Sequence, residues 1–244
     1  MARLKRFALS SLGVLIFLTG IFLELSLSGG VLWGEVEARG YTPQIGDLGL
    51  AVNCPLMLSP TESGTIRADI TNTLDEETKP LVTAEISRID GLQQLRQTLD
   101  LAPHETRPTR WTVDSSYTIF GRLILVNIVQ SRYSNLSSRQ GACGILVFNL
   151  FKLNGESSFG LLFFAALLCI MLGAALWQRV NRPLDNFHLS AAQACGIMTG
   201  MATAGMLAAL PRWWGLIMFL DALTLIIMSV VLIEFVLFPG RQQY

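Results

Sequence analysis

FGLLFFAALLCIMLGAALW (159–177), LSAAQACGIMTGMATAGMLAAL (189–210) and WWGLIMFLDALTLIIMSVVLIEFVLF (213–238) are three apolar runs separated by one short basic linker and a Pro211-Arg212 turn. Each is close to the roughly 20 helical residues that cross a bilayer's hydrocarbon core. Lipid offers backbone N–H and C=O groups no partner, so such a run has to be a helix, which bonds its own backbone. The block from Phe159 to Phe238 therefore predicts three transmembrane helices.

Composition agrees. Hydrophobic residues are 51% of the chain and charged residues 15%, with 18 basic against 18 acidic side chains. Soluble domains carry about 25% charged residues, and the deficit lies in residues 7–33 and 159–238. No basic stripe occurs, which argues against a nucleic-acid partner.

Arg3, Lys5 and Arg6 precede a fourth apolar run, Phe7–Leu25. It is longer than the apolar part of a usual signal peptide, and Ser26–Gly34 (SLSGGVLWG) holds no A-x-A cleavage site. A retained signal-anchor helix over 1–34 is the expectation. Arg179 and Arg182 follow the second helix and Arg241 the fourth, so the positive-inside rule places all three basic segments in the cytoplasm. Arg212, in the outer turn, is the exception. This orientation predicts a multi-pass plasma-membrane protein with both termini cytoplasmic and residues 35–156 extracytoplasmic. Trp33, Trp177, Trp213 and Trp214 fall near the predicted helix ends, as interfacial anchors do. The domains read as 1–34, 35–156 and 157–244.

The middle region reads as strands. Residues 65–70 (TIRADI) and 82–87 (VTAEIS) alternate polar and apolar, the mark of a strand with one wet face. Further candidates are 48–53, 93–101, 109–115, 122–131 and 142–149, separated by turn formers. Short strands at this spacing predict an antiparallel β-sandwich. The stretch Gly121–Ser131 (GRLILVNIVQS) is apolar on both faces apart from Asn127, which suits a central strand or a face covered by a neighbour.

Two turns carry a resemblance. Leu58-Ser59-Pro60-Thr61-Glu62-Ser63-Gly64 precedes a strand ending Ile70-Thr71-Asn72-Thr73, and Leu101-Ala102-Pro103-His104-Glu105-Thr106 precedes Trp111-Thr112-Val113. Over roughly 48–115 this resembles the turn, strand and asparagine grammar of bacterial immunoglobulin-like surface domains. The resemblance implies an immunoglobulin-like sandwich with an adhesive or spacer role; Thr61 and His104 stand where glycine is common in that family. Cys54 and Cys143 lie beside the first and last candidate strands, and on the oxidising side of a membrane they are expected to form a disulfide. A two-cysteine metal or haem site finds no CxxC or CxxCH pattern.

No nucleophile–base pair or phosphate loop emerges from spacing, and His104 reads as a solvated turn residue. The chemistry-bearing residues of the helices are acids. Asp221 and Glu234 lie on the fourth helix, and an intramembrane acid is a functional hypothesis by default. Asp221 reads either as a proton- or cation-binding carboxylate or as an acceptor for Thr199, Thr203 or a partner. Glu234 is expected to pair with Arg179 or Arg182 or to reach the interface. Glu24 reads as an acid close to the headgroups. Gly196, Gly200 and Ala204 give the third helix a small-residue stripe for close helix packing, and Cys169 and Cys195 read as small core residues. Arg179 and Arg182 also suit an anionic lipid headgroup.

The expected function is a non-catalytic accessory or scaffold subunit of a larger membrane complex, with other membrane subunits and lipids as partners and no cofactor. The alternatives are a small transporter or proton- or ion-conducting component using Asp221, and a membrane-anchored binding or sensor protein.

Overall fold

The computed structural model describes residues 2–40, 47–131, 136–150, 152–182 and 186–237. The chain divides into two units, Met1–Leu32 with Gly160–Tyr244, and Trp33–Phe159.

The helices are α1 (Ala2–Gly40), α2 (Gly155–Val180), α3 (Asn186–Ala209) and α4 (Trp214–Leu237), and they make up the first unit, except that α1 beyond Leu32 and α2 before Gly160 belong to the second. Among the described residues, three helices are long and apolar enough to cross a membrane: α1, α2 and α4. α3 is not one of them. Its glycines, its threonines and Gln193 dilute the run 189–210, which its apolar length alone marks as a span.

α1 differs from expectation in length. It does not stop near Leu25 but runs 39 residues, about 58 Å at 1.5 Å per residue and so roughly twice a bilayer core. Phe17, Ile21, Glu24, Ser28, Val31, Glu35 and Ala38 are all buried along it. Their alternating spacing of four and three keeps them on one helix face.

α1 meets α2 through glycine. A Cβ on Gly13 would stand 2.9 Å from the Trp177 amide nitrogen, and one on Gly20 would stand 2.7 Å from the Ala166 carbonyl. One on Gly173 would run into the backbone of Phe17 and Gly13. At the C-terminus of α2, the Arg6 side chain donates to the Val180 carbonyl at 2.8 Å and Asn181 donates to the Ser10 hydroxyl at 3.0 Å. A cation at a helix C-terminus satisfies an orphan carbonyl and complements the dipole.

The second unit is a two-sheet sandwich. One sheet runs β1 (Asp47–Leu48), β9 (Arg139–Val147), β8 (Leu123–Gln130), β5 (Leu81–Arg88) and β6 (Gly91–Thr98), with β3 (Met57–Leu58) also on β9. The other runs β2 (Val52–Asn53), β4 (Gly64–Thr71) and β7 (Thr106–Val113). The alternating runs behave as read: Ile66, Ala68, Ile70, Val82, Ala84 and Ile86 are wholly buried in one core with Trp111, Ile124, Val126, Ile128 and Ile145.

The expectation of a purely antiparallel sandwich is corrected, because β1 and β3 both pair parallel to β9. The reason is local. Residues 48–53, read as one strand, cross from one sheet to the other, and β3 crosses back. Gly141 admits that crossing, since a Cβ there would collide with the Leu50 carbonyl.

Both readings of 121–131 hold together. β8 is central between β5 and β9, and every residue in it is buried. Ile124, Val126 and Ile128 face the sandwich core, while Leu123 and Leu125 cluster with Ala38 of α1 and Ile119. The last turns of α1 therefore cover the outer face of this sheet, and Gly34 meets Gly144 backbone to backbone. Asn127 donates to Glu85 at 3.1 Å and accepts from Gln140 at 2.8 Å.

The disulfide forms: Cys54, after β2, bridges to Cys143 on β9, with Cα atoms 6.5 Å apart. It staples one sheet to the other inside the core.

The two quoted turns share one device. Ser59 N–H donates to the Glu62 carboxylate at 3.1 Å, and Ala102 N–H to the Glu105 carboxylate at 2.8 Å. In each, the glutamate amide also bonds back to the carbonyl of the residue three earlier. Glu62 additionally accepts from Gly155 N–H at 2.7 Å, placing a carboxylate on the first turn of α2, where the helix dipole favours it. Asn72, fully buried, donates to the Glu76 and Ala102 carbonyls and accepts from Leu74 N–H, which ties the loop after β4 to the second turn.

These turns make the sandwich acid-sensitive. The Ala102 amide and then Arg107 hold the Glu105 carboxyl below its ordinary 4.5. Lys79 does the same for Asp100, and the Ser116 hydroxyl and amide for Asp114, both from an ordinary 3.8. A carboxyl lowered in the folded state contributes stability above its unfolded value and loses it as pH falls through the folded one. The sandwich melting temperature is therefore expected to be level near neutrality and to fall once pH drops below about 4. Asp100 and Asp114 are exposed and Glu105 is only half-buried, so each share is small. Melting curves of Glu105→Gln against pH check this, and an acid limb as steep as that of the unaltered protein would refute the share assigned to Glu105.

Candidate functional site

The sequence reading weighs Asp221 as a lone intramembrane acid and leaves Glu24 close to the headgroups. The structure corrects both. Glu24 is 1% exposed on the buried stripe of α1, and Ser28, its neighbour on that stripe, reaches Asp221 of α4. Ser28, one turn beyond Glu24, donates its hydroxyl to Asp221 Oδ2 at 2.8 Å, and the same hydroxyl lies 3.0 Å from the Glu24 carbonyl. From α3, the Thr203 hydroxyl reaches Glu24 Oε1 at 3.5 Å. Four polar side chains from α1, α3 and α4 thus meet inside the helical unit.

Local structure explains the meeting. Gly205 on α3 lacks the Cβ that would stand 2.9 Å from Asp221 Oδ1, so the carboxyl has room against that helix. Thr199, one of the expected donors to Asp221, instead bonds the Cys195 carbonyl of its own helix at 2.8 Å. Thr203, the other, serves Glu24. The hydroxyls engage one oxygen on each acid. Glu24 Oε2 and Asp221 Oδ1 are buried with no hydrogen-bond partner among the described residues. A buried, unpartnered carboxyl oxygen is costly, so this pair is where the helical unit departs from a purely structural design.

The remaining expected sites fall elsewhere. Gly196, Gly200 and Ala204 are exposed, and a Cβ on either glycine would touch nothing within 4 Å. The close helix contacts belong to Gly13, Gly20 and Gly173, so the expected small-residue stripe is not what the chain's own helices pack against. Arg179 and Arg182 are exposed at the end of α2. Glu234 lies in the last turns of α4, and its side chain falls outside the described residues. Cys169 and Cys195 are free and half-buried. His104 is exposed, as expected, and pairs with Asp75 at 2.8 Å. Its φ of 56° takes the left-handed conformation that glycine commonly fills in such turns.

The apolar length of α1 carries no sign that Glu24 and Ser28 lie on its buried face; the spacing does. Tracing the spacing Phe17, Ile21, Glu24, Ser28, Val31 would have put both polar residues on the buried face.

No protein-family model and no curated protein matches the chain. Part of it is similar to a Paenibacillus sp. cycloisomaltooligosaccharide glucanotransferase structure, at 24% identity and a TM-score of 0.35, over 43% of this chain and 14% of that one. A CARDB domain from Pyrococcus furiosus, solved with di-metal ions, shows 13% identity and a TM-score of 0.35 over 44% of this chain and 92% of that one. Red sea bream transglutaminase gives 18% and 0.34 over 45% and 15%. The chain spans only a small part of the glucanotransferase and the transglutaminase. The description of the β-sandwich rests on the strand ladders above.

Proposed function

We propose that this chain is a non-catalytic integral membrane protein that serves as an accessory or scaffold subunit of a larger membrane complex. In this reading all four helices cross the plasma membrane and both termini are cytoplasmic. The sandwich, a bacterial immunoglobulin-like domain, stands on the extracytoplasmic side and docks a partner, while Arg179 and Arg182 meet lipid headgroups.

The observation that carries the reading is the outward stripe of Gly196, Gly200 and Ala204 on α3. α2 and α4 expose bulky apolar side chains such as Phe164, Leu168, Met171, Ile226 and Ile233, which suit lipid. α3 also exposes Ile197 and Leu207, but among the described residues nothing lies within 4 Å of where a Cβ on Gly196 or Gly200 would stand. Small residues at that spacing let another helix approach closely, so the stripe suits a helix of a neighbouring subunit.

Extraction in mild detergent, native sizing and mass spectrometry of the co-migrating proteins test this. The chain is expected to run with other membrane proteins at fixed stoichiometry. Gly200→Leu is expected to release it while its own melting temperature stays unchanged. A lone monomer or homo-oligomer would sink the reading. A proton- or ion-conducting component is the second reading, and the Glu24–Asp221 pair favours it.

A further inference from the structure

We infer that Glu24 and Asp221 form a binding site for one proton, taken from and returned to water. The site deepens that second reading, and it does not depend on the accessory role.

Each acid has one oxygen engaged by a hydroxyl and one bare. Thr203 serves Glu24 and Ser28 serves Asp221; Glu24 Oε2 and Asp221 Oδ1 are buried without a donor. Glu24 is nearly inaccessible, at 1% exposure. Neither acid forms an ion pair among the described residues. Ile21 and Leu25, the helix neighbours of Glu24 on α1, belong to an apolar cluster with Phe17, Ile170, Met198 and Ala202.

Two neighbouring carboxylates in such a core repel each other, and an uncompensated intramembrane charge is expensive. One proton relieves both conditions. Bound to either acid, it supplies an O–H donor where none exists and halves the charge of the pair. A metal cation would ask for a fuller shell of oxygens than two bare atoms provide, and no group of three metal-binding side chains occurs among the described residues. Because Glu24 and Ser28 sit on α1 while Thr203 and Asp221 sit on α3 and α4, loading the site ties these helices together.

Infrared spectroscopy of the full chain in lipid vesicles, in light and heavy water, tests this directly. At neutral pH the unaltered protein is expected to show the carbonyl stretch of a protonated carboxylic acid, shifted in heavy water. Glu24→Gln and Asp221→Asn should each alter the band, and the double variant should lose it. Absence of the band in the unaltered protein would overturn the inference whether or not any variant folds. A band that persists unchanged in a folded double variant would also overturn it. Loss of the band on adding sodium chloride would replace the proton site by a sodium site.

Discussion

Replacing both Cys54 and Cys143 with alanine is expected to cost the sandwich about 4–5 kcal/mol, the loop-closure value for a cross-link of this span. The two cysteines are 89 residues apart in sequence, so the bridge restrains nearly the whole domain in its unfolded state. A typical domain has only about 5–15 kcal/mol of total stability, so the loss is a large fraction of what holds this one folded. The bridge also joins the short crossing strands to β9. β2 and β3 have two residues each, too few for their ladders to hold the crossing unaided. Reduction should therefore loosen residues 47–58 first and then the sandwich. Trp111, buried in the same core, reports the transition. In a variant whose other four tryptophans are phenylalanine, its fluorescence in urea, with and without dithiothreitol, should show midpoints well apart. Coincident midpoints, or a double alanine variant as stable as the unaltered protein, would refute the assignment.

Gly173→Leu is expected to separate α1 from α2. The place of a Gly173 Cβ is already taken by the backbone of Phe17 and Gly13. Backbone cannot move aside as a side-chain tip can, so the cost should be at or above the roughly 1–3 kcal/mol of ordinary overpacking. Close backbone approach is a main source of helix association where both partners are surrounded by lipid. The loss is therefore not offset by burying the new leucine. The control lies in the same helix: Gly160 has open space around it, and Gly160→Leu should be tolerated. Thermal aggregation of the two variants in detergent compares them. Equal midpoints would show that the α1–α2 contact is not made through glycine.

The accessory-subunit reading and the proton site make separate demands on α3. The first concerns its outward stripe, Gly196 to Ala204, and the second its inward residues Thr203 and Gly205. A leucine at Gly200 disturbs only the first, and Asp221→Asn only the second.

What the sequence by itself determined is whatever depends on one segment at a time. Apolar runs long enough for helices are legible because hydrocarbon thickness sets their length, and 65–70 and 82–87 are legible as strands because a half-buried strand alternates. The cysteine pairing followed from there being only two cysteines in the polar region. What only the tertiary structure decided is which faces meet. Nothing in residues 48–53 announces that the chain changes sheets there, because the parallel partner, β9, is nearly the whole domain away. α3 displays the most conspicuous small-residue stripe, yet the close helix contacts formed at Gly13, Gly20 and Gly173, where glycine from one helix meets backbone of the other. Asp221 looked solitary because its partners, Glu24 and Ser28, lie on the first helix of the chain. A carboxyl pair is a relation between distant positions, and burial and charge repulsion arise only once the helices bring both acids into one core.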